Sequence, residues 1–257
     1  MTPAAPVTVT WRSHGMAEVP AGDGWMSERE QAWVAGLTFT KRRTEWRLAR
    51  WTAKQALAAA LGTARDDATL AGLEVRPSLE PDTRGAPEVF VGGERAGIGV
   101  SLTDRADWAA CVVGPRVHLG CDLELVEPRS DAFVRTYLTA AEQALVARAP
   151  NGERDALVNL LWSAKESALK VLRTGLRRDT RSVEVSFPAD GATGSWRPLV
   201  VHDEDGAVLP GWWARFGEFV LTVAADHPHE PPVTQVDPPG LASAEPSHGW
   251  LANPRAG

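Results

Sequence analysis

Apolar and polar residues recur at helical spacing over an early part of the chain. Ser27 followed by Glu30 has the form of a capping box, which begins a helix. After a break at Gly36, the run TEWRLARWTAKQALAAALG is dense in helix-forming residues and ends at Gly62. A glycine just past the last periodic residue is a typical helix end. The pattern therefore predicts helical structure over residues 27–61.

Shorter runs with a period of two follow, and Gly and Pro separate them. This pattern predicts β-strands. The runs are LEVRPSLE, RGAPEVFVGG, GIGVSLTDRADWAACVVG and VHLGCDLELVE. Pro128 stops the last of them, because proline cannot donate to a strand ladder.

Helical spacing returns over residues 131–149 and, after a Pro-Asn-Gly break at 150–152, over residues 153–173. Residues 181–223 alternate again, as the strands of a hairpin sheet do. The rest of the chain is rich in Pro and small polar residues. Residues 226–257 are therefore predicted to form a disordered tail.

A short internal repeat links the two halves of the chain. Trp51-Thr52-Ala53-Lys54-Gln55 recurs as Trp162-Ser163-Ala164-Lys165-Glu166, and both copies lie in predicted helices. With similar strand-rich flanks, the repeat predicts an α+β fold of two similar α+β lobes related by a pseudo-twofold, with a ligand site in the cleft between them. Because Gln55 is neutral and Glu166 is acidic, any metal would be held by the second lobe alone. The predicted bounds are residues 1–114 for the N-terminal lobe, 115–225 for the C-terminal lobe and 226–257 for the tail.

Composition and charge narrow the class of protein. The chain has 257 residues, of which 44% are hydrophobic and 23% charged, as in an ordinary soluble globular protein. The 27 basic and 33 acidic residues give a net charge of −6, which argues against a nucleic-acid binder. No apolar run approaches the roughly 18–20 residues that span a bilayer, and the N-terminus lacks a secretory signal. We expect a cytoplasmic protein without a membrane partner. Its two cysteines, Cys111 and Cys121, are too few for a disulfide framework and are predicted to be buried.

Three carboxylates and a lysine form the candidate chemical centre. Asp122 and Glu124 are two apart in a predicted strand, so their side chains share one face. Glu166 and Lys170 are four apart on the long helix, a spacing that is also common in simple surface ion pairs. Such an oxygen-rich set suits Mg²⁺, which leaves positions for water and substrate phosphates. A solvated cluster of surface acids is the alternative. The sequence has no GxxxxGK[ST] loop, no GxGxxG after a strand and no nucleophile elbow.

The segment GCDLE at 120–124, followed by WSAKESALK at 162–170, resembles the signature of the 4′-phosphopantetheinyl transferases. That signature reads G-x-D-x-E and then W-[ST]-x-K-E-[AS]-x-x-K some forty residues later. The resemblance covers roughly residues 25–225, and the length fits the larger, two-lobed, monomeric type that modifies carrier proteins of polyketide, peptide and siderophore synthesis. Members of the family transfer the phosphopantetheine arm of coenzyme A to a serine of an acyl or peptidyl carrier protein and release 3′,5′-ADP. The resemblance thus implies Mg²⁺ as cofactor, coenzyme A as co-substrate and an apo carrier protein as partner.

The resemblance also assigns roles in the second lobe. The metal ligands that it implies are Asp122, Glu124 and Glu166. Lys170 would contact a phosphate at the reacting centre. Glu142, in Thr139-Ala140-Ala141-Glu142, matches the acid that is often assigned as general base for the serine, and a solvated helix acid is the alternative. Lys165 would stabilise charge near the phosphates or lie on an exposed face.

In the first lobe, RRTEWRLAR at 42–50 resembles the family's basic helix, whose first and last arginines reach coenzyme A phosphates. Arg84-Gly85-Ala86-Pro87 resembles the family's short basic G-x-P loop. The alternative for these arginines is a solvated basic face, although local basic grouping in an acidic protein favours an anionic ligand. The coenzyme-binding residues implied are Arg42, Arg50, Arg84, Gly85, Ala86, Pro87, Thr103, Asp104, Asp122, Glu166 and Lys170.

One position departs from the family pattern. Ser101-Leu102-Thr103-Asp104 lies where the family has Ser-[ILV]-[ST]-His, whose histidine contacts the 3′-phosphate of coenzyme A. A carboxylate repels that phosphate unless an arginine such as Arg105 or Arg84 intervenes. We therefore expect weaker coenzyme A binding or relaxed selection for the 3′-phosphate. Two other functions stay open: a coenzyme A-binding relative with impaired catalysis, and a Mg²⁺-dependent phosphohydrolase that uses the same acids.

Overall fold

Six α-helices and three β-sheets make up residues 6–246, the part of the chain that the computed structural model describes. The first half contains β1 (Thr10–Gly15), α1 (Glu28–Ala35), α2 (Thr40–Leu61), α3 (Asp67–Ala71), β2 (Leu73–Pro77), β3 (Pro87–Val91), β4 (Glu94–Arg95), β5 (Ile98–Arg105) and β6 (Trp108–Pro115). The second half contains β7 (Leu119–Leu125), α4 (Asp131–Tyr137), α5 (Ala140–Ala147), α6 (Arg154–Val171), β8 (Val183–Ser186), β9 (Arg197–Asp203), β10 (Val208–Phe216), β11 (Phe219–Ala225) and β12 (Val233–Thr234).

The two larger sheets pack face to face, and a long helix covers the outer face of each. Their strand orders are β12-β1-β6-β5 and β7-β11-β10-β9-β8, while β2, β3 and β4 form a small third sheet. The core between the large sheets joins Trp11 and Val112 of the first to Leu123 and Leu221 of the second. α2 packs on the other side of the first sheet and α6 on the other side of the second. The predicted α+β fold is confirmed, with layers in the order helix, sheet, sheet, helix.

Local sequence signals determine the ends of the first two helices. The Ser27 hydroxyl accepts a hydrogen bond from Glu30 N at 3.3 Å, and the Glu30 carboxylate accepts one from Ser27 N at 3.0 Å. This is the predicted capping box, and it begins α1. α2 ends at Gly62, whose φ of 65° is in the left-handed region that favours glycine. None of the helices within residues 6–246 has the length and apolar composition needed to cross a membrane.

The single helix predicted over residues 131–149 is wrong, because the structure has two helices there. α4 ends before Leu138, which is extended and fully buried. Thr139 then begins α5, since its hydroxyl accepts from Glu142 N at 3.3 Å and the Glu142 carboxylate accepts from Thr139 N at 2.8 Å. A second capping box inside an apolar helical pattern therefore marks a chain reversal rather than a continuous helix.

A glycine permits the close approach of β7 to α6. A Cβ atom at Gly120 would lie 1.8 Å from the carbonyl oxygen of Ser167, a separation that no side chain tolerates. The strand can therefore lie against the helix only with glycine at this position. This contact brings Asp122 of β7 towards the face of α6 that carries Glu166 and Lys170.

The predicted disordered tail is wrong for residues 226–246, which fold back across the first lobe. β12 pairs with β1 in parallel, and Leu241 is fully buried in the core between the sheets. The Gln235 amide donates to Thr10 Oγ1 and to the Ala56 carbonyl, both at 3.0 Å. The burial of Leu241 and the hydrogen bonds to β1 and α2 outweigh the Pro-rich composition. Residues 247–257 of the predicted tail lie outside the described residues, and the predicted lobe bounds stay a prediction.

Candidate functional site

The strands β5 and β7 contact each other where the two lobes join. The hydroxyls of Ser101 and Thr103 accept hydrogen bonds from the backbone N–H groups of Cys121 and Leu123, each at 3.0 Å. The Thr103 hydroxyl also donates to Asp122 Oδ1 at 3.3 Å. Thr103, which the resemblance assigns to coenzyme binding, thus holds the Asp122 carboxylate in place at the junction.

Lys170 lies directly beside Asp122. Its Nζ donates to the Cys121 carbonyl at 2.7 Å and forms an ion pair with Asp122 Oδ1 at 3.0 Å. Desolvation opposes the charged form, but the charge and hydrogen bond of Asp122, together with the charges of Cys121 and Glu166, outweigh it and raise the pKa of Lys170. The lysine therefore stays protonated, with about a third of its side chain exposed (29%) and able to meet an anion.

Asp122, Glu166 and Lys170 form a group that we call the acidic cluster. Two of its buried carboxylate oxygens have no hydrogen-bond partner: Asp122 Oδ2 and Glu166 Oε1. Desolvation first, and the charge of Asp122 second, raise the pKa of Glu166 to about 7. Lys170 partly offsets that repulsion. Buried oxygens that repel each other and lack partners fit a cation, and hard carboxylate oxygens are the donors that Mg²⁺ prefers. Asp122 and Glu166 therefore fit the predicted metal.

The predicted third ligand, Glu124, is already engaged. Its Oε1 accepts from the Trp162 indole and its Oε2 from the Arg129 guanidinium, both at 3.0 Å. Arg105 forms a further ion pair with Glu124 at 3.3 Å. Desolvation and the charge of Asp122 still raise the pKa of Glu124 to about 7.

The predicted three-carboxylate metal set is therefore not assembled. Within residues 6–246, no group of three or more His, Cys, Asp or Glu side chains is arranged to hold a metal ion. The physical reason is that Glu124 already forms ion pairs with Arg105 and Arg129. The carboxylate oxygens without partners are therefore those of Asp122 and Glu166. Sequence reasoning missed both arginines as partners of Glu124, because Arg129 lies in the loop after β7 and Arg105 lies at the end of a different strand, β5.

Glu142 and Lys165 are not in the cleft, and their predicted catalytic roles conflict with their burial. The two form an ion pair at 2.8 Å, with side chains 1% and 0% exposed. Both Glu142 oxygens are used, since one also accepts from Thr139 N and the other from Val185 N at 2.8 Å. Lys165 Nζ also donates to the Thr180 and Val183 carbonyls. A fully paired, solvent-inaccessible carboxylate cannot reach a serine of another protein.

The first lobe contains the same buried pair. Lys54 Nζ lies 2.7 Å from Glu30 Oε2 and donates to the carbonyls of Leu70 and Leu73. Lys54 is fully buried, and Glu30 belongs to the capping box of α1 as Glu142 does to that of α5. A pair that occurs in both lobes, once in the lobe without Asp122 and Glu166, has a structural role.

The predicted coenzyme-binding arginines are spread over two elements. Arg50 stacks its guanidinium 5.0 Å from the Trp46 ring centroid, and its buried Nε has no partner. Arg42 is exposed near the beginning of α2, and Arg84 is exposed in the β2–β3 loop. Arg84 precedes Gly85, whose φ of 88° favours glycine. Arg50 is thus the arginine whose geometry leaves a buried donor for a ligand.

A groove of about 460 Å³ is lined by residues from both halves of the chain. Ala86, Pro87 and Lys170 all line it, so the structure brings these three predicted residues together. Arg116 and Arg173 also line the groove, and sequence reasoning missed them. Arg173 contacts Glu88 at 3.3 Å, while Arg116 is exposed and forms no ion pair within the described part of the chain.

Asp104 is solvent-exposed at the end of β5, on the side of the acidic cluster. Desolvation by the surrounding protein, then the charge of Glu45, raises its pKa to about 6, and Lys170 and Lys41 partly oppose this. Arg105 does not neutralise it as expected, because adjacent strand residues point to opposite faces and Arg105 pairs with Glu124 and Glu127. Asp104 therefore adds negative charge to the cleft.

Comparison with known proteins adds independent findings. The family model of the 4′-phosphopantetheinyl transferase superfamily matches residues 118–197, which include β7 and α6. The 4′-phosphopantetheinyl transferase HetI of Nostoc sp. (strain PCC 7120 / SAG 25.82 / UTEX 2576) is 23% identical over 151 residues. That match covers 54% of this chain and 63% of HetI, so the chain spans less than two thirds of this relative.

Proposed function

The chain belongs to the 4′-phosphopantetheinyl transferase superfamily, and on that premise we propose that it transfers the 4′-phosphopantetheine arm of coenzyme A to a serine of an acyl or peptidyl carrier protein. This is holo-[acyl-carrier-protein] synthase activity, and 3′,5′-ADP is the second product. The observation that supports it best is the cluster at the lobe junction, where Asp122 Oδ2 and Glu166 Oε1 lack partners beside the protonated Lys170.

Asp122 and Glu166 would hold Mg²⁺ in this proposal, and a bound Mg²⁺ neutralises and orients the pyrophosphate of the donor. Lys170 Nζ lies 3.0 Å from Asp122 Oδ1 and is partly exposed, so it can donate to a phosphate oxygen at the same place. Glu124, two residues after Asp122 on β7, is held by Trp162 and Arg129 and is not a metal ligand in this proposal. Charge neutralisation and positioning are the main demands of phosphoryl-group chemistry.

The nucleotide end of coenzyme A would lie along the first lobe. Arg50 contributes a buried guanidinium donor without a partner, and Arg42 and Arg84 contribute exposed cations. Ala86 and Pro87 shape the groove that reaches Lys170. A guanidinium binds phosphate through two parallel N–H donors, which suits it to this role.

The transfer step requires a proton acceptor other than Glu142. The serine hydroxyl oxygen bonds to the β-phosphorus, the bond from that phosphorus to the bridging oxygen breaks, and 3′,5′-ADP leaves. We assign the serine proton to solvent water, because Glu166 Oε1 would be a ligand of the metal in this proposal and cannot also serve as the base.

Intact-protein mass spectrometry of an apo carrier protein tests the proposal directly. The chain is incubated with the carrier, Mg²⁺ and coenzyme A, and we expect the carrier to gain the mass of one phosphopantetheine arm. A carrier whose acceptor serine is replaced by alanine is the control and should gain nothing. No gain across several carriers, with coenzyme A binding still measurable, would reject transfer and favour the coenzyme A-binding relative with impaired catalysis.

Replacing Asp104 with His is expected to improve use of coenzyme A. The Asp104 carboxylate, next to the charge of Glu45, disfavours a nearby phosphate, and the substitution removes that repulsion. We expect KM for coenzyme A to fall by about three- to tenfold, the size of a partly screened charge interaction. KM for dephospho-coenzyme A should not change.

Steady-state kinetics with both donors measures the effect of Asp104→His. Asp104→Asn is the matched control, because it removes the charge without adding an imidazole and should give part of the improvement. An unchanged KM for coenzyme A in both variants would show that Asp104 does not influence donor binding.

A further inference from the structure

The two lobes build the same local framework from a strand and a helix. In the second lobe, Ser163 on α6 donates to the Asp122 carbonyl on β7 at 2.9 Å. In the first lobe, Thr52 occupies the position of Ser163 in the repeat, and its hydroxyl lies 3.3 Å from His14 Nδ1 on β1. β1 thus lies against α2 as β7 lies against α6.

The tryptophans of the repeat strengthen this correspondence. Trp162 donates to Glu124 at 3.0 Å, and Trp51, which precedes Thr52, faces His14 with ring centroids 6.2 Å apart. The framework therefore matches Glu124 with His14 and, two residues earlier on each strand, Asp122 with Arg12. The first-lobe counterpart of the acidic cluster carries basic groups in place of two carboxylates.

Arg12 has no anionic partner in residues 6–246. It forms no ion pair with a described carboxylate, and its Nη1 is buried without a hydrogen-bond partner. Its Nε donates to His14 Nε2 at 3.1 Å, and that bond places the histidine proton on Nδ1, which donates to Thr52. Desolvation, Arg12 and Arg65 lower the pKa of His14 to about 4, so the ring is neutral and leaves the positive charge of Arg12 uncompensated.

Two further groups complete the cluster. Arg65, from the loop after α2, is exposed, forms no ion pair within the described chain, and acts electrostatically on both Arg12 and His14. The Trp51 indole N–H is buried without a partner. Glu18 is the acid that acts on Arg12, and it already accepts from Gly15 N at 2.9 Å. A half-buried guanidinium without a counter-ion is costly unless an anion binds it.

We propose that Arg12 and Arg65, held around His14, form an anion-binding site in the first lobe that takes a phosphate-type oxyanion. The guanidinium of Arg12 supplies its Nη1, which has no partner, and the exposed Arg65, whose charge acts on Arg12 and His14, supplies a second cation. Paired guanidinium N–H groups match the geometry of phosphate oxygens. The site lies in the counterpart of the acidic cluster and is opposite to it in charge. It does not depend on the transfer reaction, since its readout is phosphate binding.

Calorimetric titration with sodium phosphate, against sodium chloride at matched ionic strength, tests this site in the full chain. We expect Arg12→Gln and Arg65→Gln each to weaken phosphate binding by about tenfold, the effect of losing one charge-assisted hydrogen bond. Arg65 is exposed, so its variant reports binding even if Arg12→Gln folds poorly. Arg148→Gln, which removes an exposed arginine just after α5, is the matched control and should leave binding unchanged.

The variant Lys170→Gln distinguishes phosphate binding at this site from phosphate binding in the cleft. Phosphate binding that survives in Lys170→Gln and is lost in Arg65→Gln supports the proposal. The proposal would be overturned if phosphate binding were lost in Lys170→Gln and kept in Arg65→Gln. It would also be overturned if Arg148→Gln lost binding equally, or if the unmodified chain bound no phosphate. A parallel titration with glycerol phosphate distinguishes the source, because tighter binding of the ester identifies a phosphomonoester and tighter binding of phosphate identifies the free ion.

Discussion

Asp122→Asn and Glu166→Gln are each expected to lower the rate of carrier modification by about 100-fold or more while the fold is kept. These residues carry the two buried oxygens without partners at the lobe junction. A metal ion that stabilises phosphoryl charge contributes several kcal/mol to the transition state, and each 1.4 kcal/mol corresponds to about tenfold in rate. Mass-spectrometric rates at saturating coenzyme A measure the loss, and circular dichroism checks the fold.

Glu166→Gln should also raise the thermal stability at pH 8, which is the opposite sign to its effect on activity. Burial and the charge of Asp122 raise the pKa of Glu166 to about 7, well above its value in an unfolded chain. The folded state therefore binds more protons between about pH 4.5 and 7, and stability is lost as the pH rises through that window. A neutral amide removes this loss, so the gain in Tm should disappear at pH 4.

Glu153→Gln is the matched control for both measurements. Glu153 is exposed just before α6, so Glu153→Gln should change neither the rate of carrier modification nor the Tm of the protein. Near-normal transfer by Asp122→Asn or Glu166→Gln would contradict the proposed metal site. A fall in Tm at pH 8 in Glu166→Gln would contradict the electrostatic strain that we infer for the cluster.

Features that depend on near neighbours in the sequence could be predicted. The Ser27–Glu30 capping box and the glycine end of α2 at Gly62 follow from contacts within a few residues, and the structure confirms both. The burial of Cys111 and Cys121 follows from their apolar strand neighbours and is also confirmed. In such cases the chain itself carries the information, because the interacting groups are only one helical turn or one strand apart.

Features that depend on distant partners could not be predicted. Leu241 is buried against strands that lie far away in the sequence, so a Pro-rich composition wrongly indicated disorder. Glu124 looked like a metal ligand because nothing local revealed Arg105 and Arg129 beside it. Glu142 looked like an accessible helix acid, since the burial of its partner Lys165 comes from the packing of α6. In each case, only the tertiary contacts define the environment of the side chain.

Glu142→Gln is expected to lower the free energy of unfolding by about 3–5 kcal/mol, because it leaves the buried ammonium of Lys165 without its counter-charge. Glu30→Gln should cost a similar amount, since Glu30 and Lys54 form the same buried pair in the first lobe. Burial already lowers the pKa of Lys165, so the loss should shrink as the pH is raised and the lysine gives up its proton. Urea unfolding of both variants measures this.

The matched lobes make the result decisive for the role of Glu142. If the pair is structural, both variants lose stability and both retain most of their kcat per folded molecule at low temperature. If Glu142 were the general base, Glu142→Gln alone would lose kcat, whereas Glu30→Gln would keep it. Adding Lys165→Met to Glu142→Gln should restore part of the lost stability, because it removes the unpaired buried charge and leaves an apolar chain of similar length.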